Sequence, residues 1–75
     1  MSYYIDAINR LGFDSWCNNL VVDQIENIIT PTGRTTLQDD DMSLLMSWGD
    51  GKGVASIRAY TSGGWQETTI EFKLP

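Results

Sequence analysis

Histidine is missing from this chain of 75 residues. Its absence removes the commonest general base and the commonest metal ligand, and it excludes Ser-His-Asp and Cys-His nucleophiles. Cys17 is the single cysteine, so no disulfide can form within the chain. A lone thiol beside Trp16 reads as a small core residue rather than a reactive group, and the setting expected is cytoplasmic. No apolar stretch is long enough for a membrane span, and no basic-then-apolar signal pattern opens the chain, so Met1-Ser2 is expected to be a native start. Bases are scarce: five against ten acids, for a net charge of −5. Phosphates would be repelled by such a balance, so nucleic acid is not expected as a direct ligand. Repeats and low-complexity tracts are also absent.

A hydrophobic share of 41% is that of a folded protein. The length fits one domain over residues 1–75, about 2–30 helical and about 42–74 sheet. The clearest pattern is in the second half. Met42, Leu44, Met46 and Trp48 alternate with Ser43, Leu45 and Ser47, as a half-buried strand requires. Gly49-Asp50-Gly51-Lys52 reads as a turn, about 53–61 as a second strand, Ser62-Gly63-Gly64 as another turn, and about 65–74 as a third strand. A four-residue loop at 49–52 sets Met46 opposite Ala55, Leu44 opposite Ile57 and Met42 opposite Ala59. A two-residue loop at Ser62-Gly63 or Gly63-Gly64 keeps Ala55, Ile57 and Ala59 on the face that holds Ile70, Phe72 and Leu74. A three-residue loop would flip one strand over. The small alanines leave a trough where a helix can lie. The other face carries Leu45, Val54, Arg58, Tyr60, Trp65 and Glu67. In the Ser62-Gly63 register, Arg58 faces Glu67 and Tyr60 faces Trp65.

The first half reads as helical. Ser2 can cap a helix over about Tyr3–Leu11, stopped by Gly12. Asp14 can cap a second, which Asn18-Asn19 can split into a short turn and a proper helix. Val21, Val22, Ile25, Ile28 and Ile29 keep helical spacing, and Pro31 forbids continuation. A strand over the same residues competes, given their β-branched side chains, but alternation fails there. Residues 32–41 read as loop, with Thr35–Gln38 available as a short edge strand. The fold class is therefore α+β: one or two N-terminal helices on one face of a three-stranded antiparallel meander, with a fourth strand as an option.

Motifs that carry chemistry do not withstand inspection. Counted from Asp39, the sixth and twelfth positions of a calcium loop hold Leu44 and Asp50 rather than Gly and Glu. Gly49-Asp50-Gly51-Lys52-Gly53 lacks the spacing and the following helix of a phosphate-binding loop. No enzyme, metal or cofactor is expected. Trp48 falls on the inner face and reads as core, and Trp16 is expected between helices and sheet. Trp65 beside Tyr60 reads either as a sheet-stabilising pair or as a binding anchor.

Charge is uneven along the chain: residues 1–50 sum to −6 and residues 51–75 to +1. The function this suggests is a small acidic, non-catalytic protein-binding module. In size and charge it is similar to inhibitors carried by phages and mobile elements, including anti-CRISPR proteins and nucleic-acid mimics. That likeness implies inhibition of a nucleic-acid-binding or defence protein with a basic surface, in the host cytoplasm if phage-encoded. The candidate contacts are Asp23, Glu26, Asp39, Asp40 and Asp41 as phosphate stand-ins, and Tyr60 and Trp65 as aromatic anchors. Two alternatives are an oligomeric or virion-assembly subunit, and a nucleic-acid binder using Tyr60, Trp65 and Arg58.

Overall fold

A computed structural model describes residues 3–75. Helix α1 spans Tyr3–Leu11 and α2 spans Phe13–Ile25; strands β1 to β4 span Gly33–Asp39, Met42–Gly49, Lys52–Thr61 and Gly64–Lys73. The strands form one antiparallel sheet in the order β1-β2-β3-β4. The fold is thus α+β, two helices followed by a four-stranded open meander, with the helices packed on one face.

Register follows the hydrophobic pattern. Met46, Leu44 and Met42 lie opposite Ala55, Ile57 and Ala59. Ala55 lies opposite Ile70, and Tyr60 opposite Trp65, which selects Ser62-Gly63 as the second loop. The first loop of this pair is shorter than expected, because Gly49 and Lys52 already pair and leave only Asp50-Gly51 between them. Both of those residues take positive φ, 56° and 77°. Such values match the twist of the flanking strands and are what a tight two-residue turn demands.

The segment 32–41 is not a loop but strand β1 and its turn. Asp39 pairs with Met42, leaving Asp40-Asp41 as the connection, and the pairing runs back to Gly33 opposite Trp48. The inner side of β1 is Gly33, Thr35, Leu37 and Asp39, which is scarcely apolar. Its place is set by β2 rather than by its own pattern.

Helix α1 ends as the sequence predicts; the Ser2 cap lies outside the described residues. Gly12 closes α1 with its N–H on the Ile8 carbonyl at 2.7 Å, and its own carbonyl accepts from the Trp16 N–H at 3.0 Å. It is therefore also the N-cap of α2, at φ 86°. A single residue turning this corner needs glycine's freedom. Asp14 falls in the first turn of α2 rather than at its cap, and Asn18-Asn19 do not divide it. The helix also stops early, with Glu26 as its C-cap. Residues 26–32 are a connection, so Ile28 is only half-buried and Ile29 is 93% exposed. Val22 is exposed too. The buried stripe of α2 is Trp16, Cys17 and Val21.

These residues, with Ile8 of α1, meet Met42, Leu44, Met46, Ala55, Ile57, Ala59 and Phe72 in one core. Helix α1 lies over β3, whose Ala55 and Ala59 are fully buried. Trp48 is not core but half-buried at one end of the sheet, and its indole N–H donates to the Thr30 carbonyl at 3.0 Å. Gly33, Trp48, Gly53 and Phe72 form one row across all four strands. A Cβ on Gly53 would collide with the Phe72 ring, and one on Gly33 would sit 2.9 Å from Trp48. The Phe72 and Trp48 rings lie across the two glycines, which leave them the room.

Candidate functional site on the outer sheet face

Neither helix covers the second face of the sheet. Antiparallel partners share a face, so this one carries Arg34 and Thr36 of β1, Leu45 of β2, Lys52, Val54, Arg58 and Tyr60 of β3, and Trp65, Glu67, Glu71 and Lys73 of β4. Four large apolar side chains remain open to solvent here: Leu45, Val54, Tyr60 and Trp65, the last 50% exposed.

Trp65 is held from two sides. Tyr60 meets it edge-on across the strands, with ring centroids 5.6 Å apart at 69°. The Arg58 guanidinium lies over its ring, 4.9 Å from the centroid, and Arg58 Nε approaches Glu67 Oε2 at 3.7 Å. Beneath them, the buried Thr61 hydroxyl donates to the Gly64 carbonyl at 2.7 Å. It also accepts from the Gly63 N–H and from Gln66 Nε2, each at 3.1 Å. The hairpin that presents Trp65 is therefore fixed by local hydrogen bonds, and the ring is restrained before any partner arrives. Beside it, Ser43, Leu45, Ser56, Arg58, Glu67 and Thr69 line an open hollow of about 460 Å³.

The acidic candidates are not gathered in one place. Asp39, Asp40 and Asp41 form the β1–β2 turn. Tyr4 Oη donates to Asp39 Oδ2 at 3.2 Å, and the Asp40 N–H to Asp39 Oδ1 at 2.8 Å. The Tyr60 N–H donates to the Asp41 carbonyl at 2.8 Å, so this turn adjoins the aromatic pair. Asp23 and Glu26 sit at the C-terminal end of α2, and Glu26 shares a cleft with Asp50 and Gly51 of the β2–β3 turn. That turn closes the opposite end of the sheet, about 25 Å away along the eight residues of β2.

Charge is sorted by face more sharply than along the chain. The outer face holds Arg34, Lys52, Arg58 and Lys73 against Glu67 and Glu71, a net +2. The remaining residues hold eight carboxylates against Arg10, a net −7. Sequence reading missed the basic side because it left Arg34 in a loop, and only the pairing with β2 brings Arg34 onto this face.

Cys17 is fully buried. Burial first, and then the nearby Asp14 carboxylate, push its thiol up to about 11. It stays protonated and unreactive at neutral pH. Among the described residues no three His, Cys, Asp or Glu side chains come together to hold a metal ion, and no helix is long and apolar enough to cross a membrane. Compared with protein-family models, with curated proteins and with solved structures, the chain gives no match.

Proposed function

We propose that this chain is a non-catalytic binding module that occupies the surface of a protein partner with the outer face of its sheet. One observation carries the reading: a half-exposed tryptophan, restrained by Tyr60 and Arg58, stands on a sheet face that no helix covers. Trp, Tyr and Arg are the residues that most often dominate binding energy, and their restraint lowers the entropy lost on docking. The partner surface that fits offers an apolar recess for Trp65 and carboxylates opposite Arg34, Arg58, Lys52 and Lys73. The experiment is capture from lysate with wild-type, Trp65→Ala and Asp39→Asn/Asp40→Asn/Asp41→Asn baits. A partner held by the wild type and the triple variant at physiological salt, and lost with Trp65→Ala, supports the reading. A partner still held by a folded Trp65→Ala bait sinks it.

A second reading has its own observation, the net −7 away from the outer face. Here the acidic residues stand in for phosphates against a basic protein, and the module inhibits a nucleic-acid-binding or defence protein. The separation of Asp39–Asp41 from Asp23 and Glu26 would suit a long groove rather than a compact pocket. In that case the triple asparagine variant slows association and flattens its salt dependence, while Trp65→Ala does not.

A further inference from the structure

Strand β4 ends the sheet, and among the described residues nothing pairs with its outer edge. The Leu74 N–H donates to the Gly51 carbonyl at 2.8 Å, which fixes the phase of the ladder. Even-numbered residues of β4 bond to β3, so the N–H and C=O groups of Trp65, Glu67, Thr69, Glu71 and Lys73 point outward. Ten residues without an internal proline form a long open edge. The other edge, β1, is seven residues long and has Pro31 two positions before it.

We infer that this edge of β4 pairs with the same edge of a second copy, antiparallel and centred on Ile70. Charge complementarity selects this register, because it alone sets Glu67 opposite a lysine. Centred on Ile70, Glu67 lies opposite Lys73 of the second copy and Lys73 opposite its Glu67, while Thr69 and Glu71 exchange in the same way. Four of the five outward-pointing residues, Glu67, Thr69, Glu71 and Lys73, then form hydrogen-bonded pairs, and both charge pairs attract. Centring on Thr69 sets Glu67 against Glu71 twice. Centring on Glu71 sets that carboxylate against itself. Centring on Phe72 pairs Glu71 with Lys73 but leaves Glu67 beyond the end of the partner strand. On the inner side, the half-buried Ile70 meets its own copy at the two-fold axis, and Phe72 meets Thr68. The product is a continuous eight-stranded sheet whose outer faces run together. It does not rest on the Trp65 reading, since Trp65 lies at the rim of the pairing.

Residues facing each other at a non-hydrogen-bonded antiparallel site have Cα atoms about 4.5 Å apart, within disulfide reach. Ile70→Cys should therefore become a disulfide-linked dimer under oxidised glutathione. Thr68→Cys should not, because its two copies stand about 13 Å apart along the strands. Cys17 is fully buried and should leave the wild type unlinked. Sedimentation of the wild type at about 150 mM salt, where surface charges are screened beyond about 8 Å, should give twice the 8.4 kDa of one chain. Lys73→Glu should weaken the dimer roughly tenfold, by setting carboxylates opposite each other, and adding Glu67→Lys should restore it. Thr69→Pro removes an outward N–H that β3 does not use, so it should give a folded monomer. A wild type that sediments at one chain mass at 100 μM overturns the inference. So does cross-linking at position 68 that is as fast as at position 70.

Discussion

Ser56 and Ile57 are neighbours in β3 with opposite surroundings. Ser56 is exposed on the outer face, and Ile57 is buried beneath the helices. Ile57→Ala should cost about 2–5 kcal/mol through lost burial and a cavity. Ser56→Ala should stay within about 0.5 kcal/mol. Urea denaturation of both variants checks this, and equal effects would contradict the face assignment. Gly53→Ala is the complementary case. The added methyl meets the Phe72 ring and stands 2.6 Å from the Ser47 carbonyl oxygen. Overpacking of this kind should cost about 1–3 kcal/mol, although alanine is normally the better strand residue. The buried thiol adds a pH dependence. Cys17 is raised to about 11 in the fold, first by burial, while an unfolded thiol titrates near about 8.5. Between those values the unfolded chain has released the proton and the folded chain retains it, so stability falls as pH rises through that window. Cys17→Ala removes this contribution, so the stability gap between wild type and variant should narrow from pH 8 to pH 11. A gap that stays constant would show that the thiol titrates alike in both states.

At the scale of elements, the two C-terminal hairpins and the end of α1 were legible, and the end of α2 was not. Alternation in Met42–Trp48 and in Ala55–Ala59 fixed which residues share a face, because a slip by one residue exposes a whole apolar face, and left two registers for the second hairpin. No such penalty guards the C-terminal end of α2. Val21 through Ile29 kept helical spacing, yet the helix stops at Ile25 and its last turn contains no base. Asp23 and Glu26 lie where the helix dipole disfavours carboxylates. Their position helps to explain why the helix ends well before Pro31. Glu26→Lys should therefore stabilise the fold by about 0.3–1 kcal/mol at low salt, with the gain shrinking as salt is added. A thermal melt that shows no gain would remove this account of the early stop. Strand β1 was hidden for a different reason. An edge strand with Thr, Gln and Arg carries little pattern of its own, and only pairing with β2 reveals it.

At the scale of the molecule, the sequence disclosed the acidity but not its arrangement. Net charge could be split along the chain, whereas the division in space runs between the outer sheet face and everything else. That division depends on Arg34 joining Arg58, Lys52 and Lys73, and hence on β1. The Tyr60–Trp65 pair was legible in one of the two registers the sequence left open, and the pairing of Thr61 with Gly64 selects it. The carboxylates of Asp39–Asp41 are exposed or partly exposed, so replacing all three by asparagine should shift the melting temperature by no more than about 2–3 °C, the scale of a surface charge change. A larger loss would show that the turn needs its charge to fold. The central claim is that the outer sheet face, not the acidic residues, makes the contact. Amide chemical-shift mapping of the labelled protein with its captured partner tests it most directly. The account predicts the largest changes at Leu45, Arg58, Tyr60 and Trp65, including the Trp65 indole N–H. Changes confined to Asp39–Asp41, Asp23 and Glu26, with the Trp65 indole unmoved, would contradict it.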